Sequence, residues 1–91
     1  MPATIEDTTS FRKTVRKLRN NQKIDAHQAV LAVAKNPLIG QMKKGDLAGM
    51  RIYKFRMVNQ LTLLAYVYDE FSNTVTLYDV GPHENFYRDL K

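Results

Sequence analysis

The residues in this sequence best suited to proton transfer lie near the carboxyl end, where His83 and Tyr87 are four positions apart. In a helix that begins near His83, residues four apart lie on one face, so the two side chains become neighbours. Histidine exchanges protons near neutral pH because its unperturbed pKa is about 6.5. Phe86 and Leu90 form a separate apolar pair that can dock the same turn on a core. The spacing is compatible with a proton-transfer pair and equally with a terminal helix whose His and Tyr only cap the fold.

A second group of residues suited to chemistry is a pair of cations on a predicted strand. Lys54 and Arg56 alternate with Tyr53 and Phe55, so if the aromatic rings face a core the cations face the opposite side of the sheet. Lysine and arginine hold phosphodiesters and stabilise charge that develops on their oxygens. Beside the carboxyl-terminal pair, these cations would complete the minimum set for RNA cleavage without a metal. Two basic residues on a sheet are also common as solubilising groups, and that interpretation stays open.

Two helices are predicted to precede the strands. The first runs from about Thr9 to Arg19, with residues 7–10 as plausible N-caps. The second follows a turn at 20–23, begins with Asp25 as N-cap and Gln28 in the capping-box position, and ends at Asn36-Pro37. The apolar stripes are Phe11, Val15 and Leu18 in the first helix, and Ala26, Ala29, Val30, Val33 and Ala34 in the second.

The second half of the chain changes to a β pattern. Strands are predicted at 50–57, 61–68 and 74–80, after a loop at 38–49, and the middle strand is apolar at both parities, as expected of a central strand covered on both faces. A brief strand at Ala3 to Ile5 can also pair with the sheet. We therefore expect one α+β domain over residues 1–91, with two N-terminal helices packed on one face of a small antiparallel β-meander. A short C-terminal helix follows, and the other face is partly open.

Composition limits the possible chemistry. The chain has 91 residues, no cysteine and two histidines, which excludes disulfides and cysteine nucleophiles and makes a metal site or cofactor unexpected. With neither a secretory signal nor a membrane-spanning run in the sequence, a soluble, cytoplasmic protein is expected.

The positive charge is concentrated in one half of the chain. Of the net charge of +5, residues 1–45 carry nine Lys/Arg against three Asp/Glu (+6), and residues 46–91 carry five against six (−1). This field favours RNA, DNA or an acidic protein as a partner. The cations of the first helix fit either a solvated face or a surface that lies along a nucleic-acid backbone.

The order of elements and three sequence runs resemble the RelE/ParE superfamily of toxins from bacterial type II toxin–antitoxin systems, and most of all its ParE-like subgroup. The three runs are Gly49–Arg56, Ala65–Tyr68 and the closing Gly81–Tyr87. The resemblance covers about residues 8 to 91. It implies a basic toxin that an acidic, partly disordered antitoxin holds inactive. Many members cut messenger RNA in the ribosomal A site, and others inhibit DNA gyrase without cleaving RNA.

The resemblance also implies roles for individual residues. The catalytic candidates are Lys54, Arg56, His83 and Tyr87, and the RNA-binding candidates are Lys43, Lys44, Arg51 and Arg88. The sequence departs from the RNA-cutting members at 58–61, Val-Asn-Gln-Leu, where those members often carry Tyr-Arg after a Gly-Asp turn. A ribosome-dependent endoribonuclease, a gyrase inhibitor and a non-catalytic binding domain are therefore all retained as hypotheses.

Overall fold

Seven helices and strands make up the part of the chain that the computed structural model describes, residues 1–45 and 49–83. They are β1 (Thr4–Asp7), α1 (Thr9–Arg16), α2 (Asn20–Lys35), β2 (Gln41–Met42), β3 (Arg51–Met57), β4 (Gln60–Asp69) and β5 (Thr74–Pro82). The predicted C-terminal helix falls mainly on residues 84–91, outside the described residues. Neither described helix combines the length and the apolar character that a membrane crossing needs.

The five strands form one mixed sheet in the order β1-β5-β4-β3-β2. The predicted meander is its antiparallel centre, β3-β4-β5. The sheet differs from the prediction at both edges. β1 lies at the brief strand expected near Ala3 to Ile5, but it pairs with β5 in parallel and makes the sheet mixed. β2, which falls in the predicted loop, pairs antiparallel with the start of β3.

The core lies between the sheet and the helices. Phe11 of α1 and Val33 of α2 pack there against Leu64 and Tyr66 of β4 and Leu77 of β5. The small residues of α2 allow the close approach that their spacing predicted, since Ala26, Ala29, Val33 and Ala34 are all buried. The opposite face of the sheet is buried at its centre, where Ile52, Leu63 and Ala65 are at most 2% exposed.

α1 begins at Thr9 as predicted but ends at Arg16 rather than Arg19, and the predicted turn at 20–23 lies inside α2. Thr8, one of the predicted caps, is the N-cap of α1, and its hydroxyl accepts a hydrogen bond from the Phe11 N–H. The predicted N-cap of α2, Asp25, was wrong by six residues, because the Gln22 side chain accepts a hydrogen bond from the Arg19 N–H at 2.8 Å and the helix is capped at Arg19. Asp25 is therefore inside α2. The helix ends at Lys35, before Asn36-Pro37, as predicted.

Candidate RNA-binding site at one end of the sheet

Lys54 and Arg56 lie on the sheet face opposite the helices. Tyr53 and Phe55, the alternate residues of β3, pack against the helix-side core, with their rings stacked at a centroid distance of 6.1 Å. Both cations are exposed. The alternation of β3 thus orients the two cations as the sequence predicted.

The register of the sheet brings the end of β5 to the same level as these cations. Lys54 pairs with Leu63, which in turn pairs with Gly81 of β5. Arg56 pairs with Leu61, which is one position beyond the last paired residues of β4 and β5, Thr62 and Pro82.

His83 follows Pro82 directly, so along the direction of the strands it lies near Leu61 and Arg56. The His83 side chain is exposed. Strands are about 4.8 Å apart, so the backbones of β3 and β5 are about 10 Å apart across β4. A lysine or arginine side chain can extend over much of that distance. The structure therefore gathers Lys54, Arg56 and His83 at one end of the sheet.

An irregularity in β5 controls which face its last residues occupy. Tyr66 pairs with Leu77 but Ala65 pairs with Asp79, so Tyr78 is an extra residue with no partner on β4. Before this bulge the core-facing residues of β5 are Val75 and Leu77, and after it Val80 faces the core. The bulge shifts the alternation by one residue and puts Gly81 on the face of Lys54. Bulges commonly re-aim side chains in this way.

The turn between β3 and β4 holds Arg56 in place. Arg56 Nη1 donates to the Asn59 carbonyl at 3.2 Å, and the Val58 N–H donates to Asp25 Oδ2 of α2 at 2.8 Å. Val58 and Asn59 have φ of 50° and 68°, which fits the two-residue hairpin connection between Met57 and Gln60. A β-branched residue at such a φ is strained. This anchoring role of Asp25 was missed in the sequence, because the capping-box pattern gave the residue another explanation.

Three of the predicted RNA-binding residues lie near the other end of β3. Arg51 is five residues from Arg56, or about 16 Å along a strand, and its Nη1 donates to the carbonyls of Gly40 at 2.8 Å and Leu38 at 3.5 Å. Lys43 and Lys44 follow β2, and the Lys43 N–H donates to the Met50 carbonyl at 2.9 Å. The structure does not bring these residues to Lys54.

Arg51 belongs to a hydrogen-bonded group around Tyr66. The Tyr66 hydroxyl donates to the Pro37 carbonyl at 2.7 Å and accepts from the Gly40 N–H at 2.9 Å. A Cβ on Gly40 would meet the Tyr66 hydroxyl at 2.7 Å, so the close approach requires glycine. Burial raises the pKa of Tyr66, although the Gly40 hydrogen bond and the charge of Arg51 act in the opposite direction. The fold therefore uses Arg51 to fix the segment after α2.

Tyr87 and Arg88 lie outside the described residues. Within residues 1–45 and 49–83, His, Asp and Glu side chains do not converge in any group of three that could hold a metal ion. The central position of Leu61, between Arg56 and the level of His83, was not evident from the sequence, because it depends on strand register.

Comparisons with known proteins agree with this fold. The family profile described as the ParE-like toxin of type II bacterial toxin-antitoxin system matches residues 5–91. The toxin–antitoxin complex RelBE2 from Mycobacterium tuberculosis has a chain 24% identical in sequence, at a TM-score of 0.80 over 91% of this chain and 100% of that one. A chain of the intact E. coli RelBE toxin–antitoxin complex is 19% identical, at a TM-score of 0.70 over 88% of this chain and 95% of that one. The isolated E. coli RelE toxin is 18% identical, at a TM-score of 0.69 over 97% of this chain and 95% of that one. No curated protein matches the sequence at a significant level.

Proposed function

Because this chain belongs to the ParE-like toxins of type II bacterial toxin–antitoxin systems, we propose that it is a ribosome-dependent endoribonuclease that cuts messenger RNA without a metal ion. A cognate acidic antitoxin holds it inactive in the cytoplasm. The observation that supports the proposal is the position of Lys54 and Arg56 of β3 at the same end of the sheet as His83, which follows β5.

The reaction proposed for this site is an internal phosphoryl transfer. A base takes the proton of a ribose 2′-hydroxyl, and that oxygen attacks the adjacent phosphorus. The bond from phosphorus to the 5′-oxygen of the next nucleotide breaks, and an acid protonates the leaving oxygen. The products are a 2′,3′-cyclic phosphate and a 5′-hydroxyl. Each proton transfer assisted by a positioned side chain contributes about 10²–10⁴-fold in rate.

Each residue has a distinct role in this reaction. Lys54 and Arg56 hold the phosphodiester and stabilise the negative charge that grows on its non-bridging oxygens. His83 and Tyr87 move the two protons, and Arg88 contacts the RNA. Lys43, Lys44 and Arg51 are left out of this set, since they lie near the other end of β3 and Arg51 is bound to backbone carbonyls.

The proposal of an antitoxin partner is supported by two observations. Two of the similar solved structures, RelBE2 from Mycobacterium tuberculosis and RelBE from E. coli, are complexes of a toxin with its antitoxin. The net charge of +5 favours association with an acidic protein.

Gyrase inhibition without catalysis is the second candidate function. It is favoured by Leu61, an apolar residue at the position between Arg56 and the level of His83. A third cation there would stabilise a phosphoryl-transfer transition state, so its absence weakens the case for a nuclease. Intact transcripts together with DNA breaks in cells that express the protein would support this alternative.

A double substitution tests the nuclease proposal. Lys54→Ala with His83→Ala is expected to leave the protein folded and to abolish both growth arrest and cleavage of ribosome-bound transcripts, mapped by primer extension. The matched control is Lys35→Ala with His27→Ala, because it removes the same two residue types from exposed positions of α2. The control is expected to arrest growth like the wild type. A folded Lys54→Ala, His83→Ala protein that still cuts transcripts would contradict the mechanism.

A further inference from the structure

A small pocket lies between helix α2 and strand β3, beside Arg56. It has a volume of about 160 Å³, and its lining residues are Asp25, Gln28, Ala29, Tyr53, Phe55 and Arg56. Pockets that enclose a whole small molecule commonly measure about 300–1,000 Å³, so this one has room for a single planar ring system and not for a complete nucleotide. Its size therefore fits one nucleobase of a longer chain.

The wall that β3 contributes to the pocket is aromatic. Tyr53 and Phe55 occupy alternate positions of the strand on the helix side of the sheet, and the planes of their rings differ by only 10°. Both side chains are partly buried, so they pack against the core and also reach the pocket. The bases of single-stranded RNA bind to aromatic side chains by stacking. This wall therefore suits a flat aromatic ligand.

The wall that α2 contributes is mainly polar. Asp25 and Gln28 are three residues apart in this helix, so their side chains are neighbours on one face. The Val58 N–H donates to Asp25 Oδ2 at 2.8 Å, which holds the carboxylate in place. An ionised carboxylate can accept several hydrogen bonds, and the glutamine amide offers both a donor and an acceptor. This wall can therefore hydrogen-bond the edge of a base.

These polar groups distinguish among the four RNA bases by the edges that the bases present. Guanine has two adjacent N–H donors, at N1 and N2, beside the O6 acceptor. The Asp25 carboxylate can accept from both donors, and the Gln28 amide can donate to O6. Uracil has one N–H between two carbonyl oxygens, which a carboxylate repels. Adenine and cytosine offer the carboxylate an amino group alone, so guanine fits best.

Arg56 connects this pocket with the cations proposed to hold RNA. Its position on β3 places it with Lys54 on the open face of the sheet, and it also borders the pocket. In the part of the chain that the structure describes, β2 pairs with Arg51 and Ile52 alone, so the edge of β3 beside Arg56 is uncovered. The base and the phosphate of one nucleotide are joined through a single ribose. A phosphate bound by Arg56 therefore brings a neighbouring base to the pocket.

We propose that this pocket binds one nucleobase of the RNA substrate, with guanine preferred, while Lys54 and Arg56 hold the adjacent phosphates. The base stacks on the aromatic wall, and its edge meets Asp25 and Gln28. The pocket thereby selects the nucleotide at one position near the bond that is cut. This inference rests on the proposed function for the identity of the substrate as RNA, and it adds which base the chain selects and where that base binds.

The test measures binding and not cleavage. The probes are four trinucleotides, UGU, UAU, UCU and UUU, with a 2′-O-methyl group on every ribose, so that they lack the attacking hydroxyl. Their dissociation constants with the full chain are measured by two-dimensional NMR of the ¹⁵N-labelled protein. UGU is expected to bind more tightly than UUU by a factor of about five or more, the discrimination expected of a well-placed pair of hydrogen bonds to one base. It is also expected to shift the side-chain amide resonances of Gln28.

A free nucleotide distinguishes an RNA site from a site for a small guanine compound. Guanosine monophosphate carries the same base but lacks the phosphodiesters that Lys54 and Arg56 hold. It is therefore expected to bind more weakly than UGU by a factor of about ten or more.

Three protein variants separate recognition of the base from recognition of the phosphates. Gln28→Ala changes an exposed helix position to a good helix former, so the protein is expected to stay folded and to prefer UGU over UUU by less than about twofold. The matched control is Gln41→Ala, which removes the same side chain from an exposed position of β2 and is expected to keep the preference. Lys54→Ala is expected to weaken the binding of all four trinucleotides alike, because it removes a phosphate contact.

The inference is overturned if none of the trinucleotides binds, if UUU binds as tightly as UGU, if Gln28→Ala retains the preference, or if guanosine monophosphate binds as tightly as UGU. None of these results needs catalysis, so failure here is distinguishable from failure of the proposed function. A protein that selects UGU but leaves transcripts intact supports the pocket and contradicts the nuclease. A protein that cuts transcripts but binds the four trinucleotides equally supports the nuclease and contradicts the pocket.

Discussion

Leu61→Arg is expected to accelerate RNA cleavage. Leu61 is paired with Arg56, lies on the face of the two cations and is 37% exposed, so an arginine can replace it at little cost in stability. A new guanidinium would lie between Arg56 and the level of His83. It would therefore be close to a phosphate held by the existing cations.

The size of the effect follows from the electrostatics of a half-exposed site. At 4 Å, two unit charges interact by about 1 kcal/mol in water and about 4 kcal/mol at the effective dielectric constant of a protein surface. Exposure of the site and repulsion from Arg56 reduce the gain to about 1–2 kcal/mol, or about five- to thirtyfold in rate. The assay is the single-turnover rate of cleavage of a messenger RNA codon in the A site of programmed ribosomes.

The control for Leu61→Arg must add the same charge elsewhere. Phe71→Arg does so at a position 97% exposed, in the turn between β4 and β5 at the opposite end of the sheet. It is expected to change the rate by less than twofold. If Leu61→Arg is folded and cuts no faster than Phe71→Arg, the transition state does not lie over this end of the sheet.

Two further predictions concern stability. Tyr66→Phe leaves the Pro37 carbonyl and the Gly40 N–H without their partner, so it is expected to lower the free energy of urea unfolding by about 1–3 kcal/mol, whereas Tyr78→Phe, at an exposed position, is expected to change it little. Because burial raises the pKa of Tyr66 above 10, the folded state holds this proton more tightly than the unfolded state, and its share of the stability is lost as pH rises above 10. Wild type is expected to show this alkaline loss and Tyr66→Phe to lack it; equal pH dependence in both would contradict the assignment. Val58→Asn is expected to raise the free energy of unfolding by about 1 kcal/mol, because asparagine adopts a φ of 50° at a lower energetic cost than valine, while Val58→Ala should gain little.

The sequence predicted the strands and their faces well because alternation is a local property. β3, β4 and β5 were placed within one or two residues of their observed ends, and the outward orientation of Lys54 was correct. The start of α2 was misplaced because two capping patterns compete there. Gln22 and Gln28 both stand three residues after a possible cap, and the choice between them depends on Asp25, which the fold uses to bind the Val58 N–H.

Features that depend on contacts between distant residues were not predictable. The parallel pairing of β1 joins residues seventy positions apart, as in Thr4 with Thr74, and no local pattern gives its register. Arg51 looked like another RNA-binding cation because nothing in its neighbourhood in the sequence indicates the Gly40 carbonyl that it binds. The register of β4, which sets Leu61 between Arg56 and the end of β5, could not be read from the sequence, and a shared catalytic role of His83, Lys54 and Arg56 stays a prediction.

The face on which the carboxyl-terminal motif lies depends on the number of residues in β5 and not only on their types. Deleting Tyr78 itself would keep Asp79 opposite Ala65 and leave the later positions on their present faces. Deleting Gly81, after the bulge, would instead put Pro82 opposite Leu63 and move His83 to the other side of the sheet. The terminal histidine would then belong to the helix side, with its chemistry intact and its substrate out of reach. A homologous toxin could therefore lose activity through a single-codon deletion that leaves all of its proposed catalytic side chains present.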